Sequence, residues 1–145
     1  NIPIELAESR YGFEIDQYAL HAEDGGAGEY RGGKGVVLDY RVTAKEAFLT
    51  YSATRTTSRP WGLAGGGEGS TNRAEILRRD GSVETYSMVT GARAVEGETF
   101  RLVSATGGGY GDPMKRDRSR LLADLRDGYV TPEQARRDYG FDPAA

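Results

Sequence analysis

Asp24-Gly25-Gly26-Ala27-Gly28-Glu29-Tyr30-Arg31-Gly32-Gly33-Lys34-Gly35 runs directly into the β-forming stretch Val36-Val37-Leu38-Asp39-Tyr40-Arg41-Val42. Glycine this dense cannot be a helix, because each residue would lose more backbone entropy than any other and has no side chain to pack. A phosphate-binding loop is the first functional reading to weigh. Gly28, four residues, then Gly33-Lys34 fits its spacing, but Gly35 stands where Ser or Thr should hold magnesium. Such a loop must also open into a helix whose N–H groups face the anion, and a β-branched run follows instead. The stretch is therefore expected to turn the chain sharply between two strands, in backbone conformations closed to residues with a Cβ. Tyr30 and Arg31 would act as packing and hydrogen-bonding anchors.

Outward from this stretch the hydrophobic period is two. Phe13, Ile15 and Gln17 alternate with polar neighbours up to Ala19-Leu20, and Ala47, Leu49 and Tyr51 alternate within 46–53. Both read as strands, whereas residues 1–11 show no period and read as an approach segment. Residues 54–73 form a long loop with Arg59 and the only Trp, Trp61. That loop is either a partner contact or lid, or a packed cover for the sheet. Residues 74–79 and 82–86 read as a hairpin closed by the two-residue turn Asp80-Gly81. Residues 99–105 are a further strand, leading to a second glycine cluster, Thr106-Gly107-Gly108-Gly109-Tyr110-Gly111-Asp112-Pro113. Beyond Pro113 the period changes to about 3.6. A stripe of Leu121, Leu122 and Leu125 begins near Asp117, and Thr131-Pro132-Glu133-Gln134 is a capped helix start ended by Gly140. The expectation is mainly β, a sandwich or barrel-like body over 1–113 with glycine-rich loops. A helical hairpin over 114–145 docks on it through Leu121, Leu125, Val130, Tyr139 and Phe141, making one structural unit.

The 145 residues suit one domain, and a net charge of −3 with both signs interspersed offers no footprint for nucleic acid or a membrane surface. No cysteine is present, so disulfides, thiolate metal sites and a cysteine nucleophile are excluded. His21 is the only histidine, which removes mechanisms needing a His pair within the chain. Glu5, Glu8, Asp24, Asp39 and Asp112 are carboxylates without an acid/base or metal frame. No catalytic residue is assigned. Gly107, Gly108, Gly109 and Tyr110 are candidates for a substrate or anion loop of backbone N–H groups, or for close approach of another backbone. Tyr30, Arg31, Arg59 and Trp61 are candidate interface residues.

Taken together, Asn1-Ile2-Pro3-Ile4-Glu5 with Glu8 and Tyr11, Tyr18-Ala19-Leu20 and the Asp24–Gly35 stretch resemble the C-terminal part of the hydantoinase B/oxoprolinase family. The likeness continues through Pro60-Trp61-Gly62-Leu63-Ala64-Gly65-Gly66, residues 106–113, and Asp124-Leu125-Arg126-Asp127-Gly128-Tyr129-Val130 with Ala135, Tyr139 and Gly140. Gly12, His21 and Asp24 depart from it, where Pro, Arg and Ser would be expected. The resemblance implies part of a cytoplasmic B-type subunit that works with an A-type ATP-binding subunit and the rest of the B subunit in a hetero-oligomer. The implied activity is ATP-dependent opening of cyclic amides such as N-methylhydantoin or 5-oxoproline. A related ketone carboxylase, or a non-catalytic β scaffold for assembly, is the alternative. ATP and a divalent metal belong to the complete enzyme, since the family's acidic and histidine-containing motifs lie upstream. Asn1 thus begins partway through the pattern, as in a fragment or split subunit, inactive alone.

Overall fold

The computed structural model describes residues 3–143; Asn1, Ile2, Ala144 and Ala145 lie outside it, and with them the first two residues of the resemblance. The chain forms two compact units. One comprises Asn1–His21, Val36–Thr57 and Asn72–Ser104; the other comprises Ala22–Gly35, Ser58–Thr71 and Ala105–Ala145.

The first unit is antiparallel β. Its strands are β1 (Phe13–Leu20), β2 (Val36–Val42), β3 (Glu46–Ser52), β4 (Arg73–Leu77), β5 (Val83–Tyr86), β6 (Met88–Val95) and β7 (Thr99–Val103). Five form a sheet in the order β1-β2-β7-β4-β5, and β3 and β6 form a two-stranded ribbon. The register sets Tyr40 opposite Phe100 and Phe100 opposite Ile76, so one face presents a row of large apolar side chains across three strands. Val42, Ile76, Phe100 and Ala94 are buried together, with Ala47, Leu49 and Ala92 of the ribbon packed on them. Each large side chain in that cluster contributes about 1.5–3 kcal/mol by leaving water. The mainly β class and its antiparallel strands agree with the alternation in the sequence.

Three local expectations change. Residues Ile4–Arg10 are a helix, α1, with Ala7 as its one buried residue and no side-chain cap at Pro3. A helix burying so little leaves no period to read. Between β4 and β5, Leu77 pairs with Val83 and the Arg78 N–H donates to the Ser82 carbonyl, leaving Arg79-Asp80-Gly81 as a three-residue loop. Only Gly81 has a positive φ, +85°, where the type I′ turn that Asp-Gly favours needs two such residues. Finally, β6 was not apparent in the sequence: Gly91 at φ +70° and a register shift against Leu49–Tyr51 interrupt its alternation.

The second unit holds the glycine-rich segments and two helices, α2 (Arg118–Arg126) and α3 (Pro132–Tyr139), preceded by a single 3-10 turn at Pro113–Lys115. The Asp117 side chain caps α2 by accepting from the Arg120 N–H, and Thr131 caps α3 by accepting from the Gln134 N–H. Gly140, at φ +55°, ends α3 in the left-handed conformation. Leu121, Val130, Ala135 and Tyr139 form the buried cluster of this pair, joined by Leu125, Phe141 and Ala27. Leu122 departs from the expected stripe: it is half exposed, and the position facing inward one turn from Leu121 is Asp124.

Candidate functional site

The second unit gathers the candidate loop and interface residues of the sequence reading: Gly107, Gly108, Gly109 and Tyr110, with Tyr30, Arg31, Arg59 and Trp61. Three segments, around 25–33, 60–69 and 105–111, run against one another and exchange main-chain hydrogen bonds in a cycle. The Gly26 N–H donates to the Gly107 carbonyl, Gly109 N–H to the Gly67 carbonyl, and Gly67 N–H to the Ala27 carbonyl, at 2.9, 2.9 and 2.7 Å. The first two segments also double back on themselves, through Gly32 N–H to the Gly26 carbonyl and Gly69 N–H to the Pro60 carbonyl. Thr106 ties all three together. Its hydroxyl donates to the Asp24 carbonyl and accepts from the Ser70 N–H, while its own N–H donates to the Ser70 hydroxyl.

This packing explains the glycines differently from the expected sharp turn. Gly25, Gly26, Gly28, Gly32 and Gly33 all lie outside the left-handed region, so positive φ is not what selects them. A Cβ on Gly32 would stand 1.9 Å from the Gly107 carbonyl oxygen, and one on Gly109 would stand 2.1 Å from that of Ala27. Main chain itself occupies the space, the same reason that glycine recurs at the crowded axis of collagen.

The N–H groups of Gly107, Gly109 and Tyr110 donate to the carbonyls of Gly33, Gly67 and Tyr30. As donors to an anion these three are already committed. Tyr30 and Tyr110 pair across an antiparallel bridge, Leu63 bridges Tyr110 from the other side, and the two Tyr rings lie 6.2 Å apart. All three side chains are more than half exposed, and the Arg120 guanidinium sits 5.9 Å from the Tyr30 ring. Trp61 is exposed too, at 65%, as is Arg59. The exposure of Trp61 does not fit a packed cover.

Arg31 points inward instead. Its Nε lies 3.1 Å from Asp124 Oδ1, its Nη1 donates to the Gly32 carbonyl, and its guanidinium lies over the Tyr129 ring at 4.6 Å. The other oxygen of Asp124 takes Arg116, which also donates to the Glu29 carbonyl at 2.9 Å. Arg116 and Asp124 are both buried. Two guanidiniums from outside α2 thus converge on one carboxylate of α2, joining the helices to residues 29–32. Gln134, also buried, reaches the Gly25 carbonyl from α3. Burial raises the Tyr139 phenol above its ordinary pKa, so it stays neutral. Sequence reasoning missed Arg116, Asp124, Gln134 and Thr106. The one available signal was Asp124, an acid three residues from Leu121 on a face expected to be apolar.

Most of the remaining charged candidates are paired within the chain. Lys34, the apparent phosphate-loop lysine, donates to the carbonyls of Ala22 and Glu23 and lies 3.9 Å from Asp24. Asp24 also receives Arg137, Asp39 receives Arg101 in a bidentate pair, and Glu8 accepts the Ile15 N–H. Asp112 accepts from the Met114 N–H at the 3-10 turn. Among the described residues no group of three or more His, Asp or Glu side chains could hold a metal, and no helix is long and apolar enough to cross a membrane.

The family model described as hydantoinase B/oxoprolinase matches residues 1–113, a span that includes the Trp61 segment and the second glycine cluster. The chain belongs to the hydantoinase B/oxoprolinase family. It is 35% identical to the caprolactamase subunit beta of Pseudomonas jessenii over 142 residues, covering 94% of this chain and 24% of that protein. It is 24% identical to the 5-oxoprolinase of Dictyostelium discoideum over 108 residues, 74% of this chain and 8% of the other. The crystal structure of the ATP-dependent caprolactamase from Pseudomonas jessenii superposes with a TM-score of 0.83 at 34% identity, covering 99% of this chain and 26% of that one. An acetone carboxylase structure shares the fold alone, with a TM-score of 0.71 at 19% identity over 96% of this chain and 23% of that one. The chain thus spans about a quarter of the length of the caprolactamase chain it matches.

Proposed function

We propose that this chain serves as part of the B-type subunit of an ATP-dependent cyclic-amide hydrolase, of the hydantoinase, oxoprolinase and caprolactamase type, and is inactive alone. The observation that carries this reading is the likeness to the ATP-dependent caprolactamase over 99% of the chain at 34% identity. Opening an unstrained amide ring with ATP requires phosphoryl transfer to an oxygen, a step governed by positioned charge and backbone donors. In this reading ATP is held by an A-type partner and a divalent metal by other parts of the complete enzyme, in the cytoplasm. The chain's own share is rigid support. The glycine segments, with Gly107, Gly108 and Gly109 at their centre, hold the exposed side chains of Tyr30, Tyr110, Arg59 and Trp61 toward neighbouring chains. Arg31 belongs to the support through Asp124.

The test is co-purification with an A-type subunit in the complete complex, followed by ATP consumption against caprolactam, hydantoin, 5-oxoproline and acetone. ATP use coupled to ring opening is expected. Coupling to acetone carboxylation alone would overturn the reading in favour of a carboxylase.

A further inference from the structure

The sheet face that carries Val42, Phe100 and Ile76 continues beyond their cluster. Phe13, Ile15, Tyr18 and Leu20 of β1 stand opposite Val42, Tyr40, Leu38 and Val36 of β2, so these eight residues share that face. α1 covers part of it. Ile4 and Ala7 line, with Phe13, Ile15, Tyr18, Leu38 and Tyr40, an apolar depression of about 320 Å³. Tyr18 and Leu20 remain 54% and 55% exposed.

β1 is also an outer strand of the sheet, and its two halves differ. In the first half Glu8 of α1 accepts the Ile15 N–H at 2.8 Å, and the register shift between Ile15 and Gln17 breaks the ladder. Such features blunt an edge against further pairing. From Gln17 to Leu20 regular pairing resumes, and these four residues include no charge and no proline. Alternate main-chain groups of a terminal strand face away from its neighbour. The unguarded edge and the exposed apolar side chains therefore coincide, the combination that accepts an added strand.

We infer that the Gln17–Leu20 edge, with Tyr18 and Leu20, receives an extended apolar segment from the three quarters of a B-type subunit that this chain does not span. The inference rests on the reading of the chain as part of such a subunit. The occupant follows from size: the relatives are about four times as long as the stretch matched, and globular proteins rarely leave such apolar surface in water. A second copy of the chain is the competing occupant.

The experiment replaces the matching quarter of the Pseudomonas jessenii caprolactamase subunit beta with this chain and compares hydrogen exchange with that of the isolated chain. Amides of residues 17–20 are expected to exchange at least about tenfold more slowly in the chimera. Leu20→Asp should return them to the isolated-chain rate. Tyr18→Lys, a charge at a half-exposed site, gives a second reading of the same effect. Equal rates at 17–20, with slowing at the Trp61 and Tyr110 segments, would overturn the edge while leaving the subunit reading in place. No slowing anywhere would sink both. An isolated chain that dimerises, and becomes monomeric with Leu20→Asp, would assign the edge to a second copy and overturn the inference.

Discussion

The two units reach order by opposite means. In the five-stranded sheet and its ribbon, side chains fill the interior, and Ile76, Val42 and Phe100 meet across strands that keep ordinary spacing. In the glycine segments the side chains are missing from the contact, and carbonyls approach to where a Cβ would be. The sheet can thus adjust to a lost methyl by partial collapse, whereas the glycine segments have no flexible atom to move aside. Glycine costs conformational entropy in both, but in the second unit that cost is offset by a run of main-chain contacts that no other residue permits.

The comparison breaks most sharply at Gly109. Gly109→Ala places a methyl 2.1 Å from the Ala27 carbonyl, and we expect a loss of about 4 kcal/mol or more in urea unfolding. Next is Asp124→Asn, which leaves Arg31 and Arg116 sharing a neutral amide. A loss of about 3 kcal/mol is expected for a buried pair stripped of one partner, read as early melting of α2 and α3 by circular dichroism. Ile76→Val should cost only about 1 kcal/mol in the same urea assay, because the sheet interior adapts to a missing methylene.

The smallest effect concerns acid. Glu98 accepts from the Val95 N–H and from Arg78, which hold its carboxyl below the ordinary value of 4.5. A lowered folded-state pKa supports folding fully above the unfolded value and loses that support as pH falls through the folded value. The first unit should therefore weaken below about pH 4.5. Glu98→Gln should flatten that slope in thermal melts taken from pH 5 to pH 2.

Much of the sheet was legible because period two survives wherever one face is buried, as at Ala47, Leu49 and Tyr51. It failed at β6, where Gly91 and a bulge shift the phase, and at α1, where only Ala7 is buried. The start of α2 near Asp117 followed from its apolar stripe, and the Thr131 cap of α3 was readable, since capping is local chemistry. The arrangement around the candidate residues was not. Dense glycine announces an unusual backbone, yet a sequence does not say whether each glycine serves positive φ or close approach, because the neighbour that would collide, as Gly107 does for Gly32, can lie dozens of residues away. Arg31 illustrates the same gap: its partner Asp124 is 93 residues further along.

Gly32 and Gly33 are adjacent, chemically identical and outside the left-handed region, but a Cβ on the first meets the Gly107 carbonyl at 1.9 Å and one on the second meets nothing within 4 Å. Measuring the unfolding free energies of Gly32→Ala and Gly33→Ala side by side is the most direct test of main-chain crowding. The expected result is a separation of at least about 3 kcal/mol, with Gly33→Ala within about 0.5 kcal/mol of the parent. Equal stabilities for the two variants would contradict it.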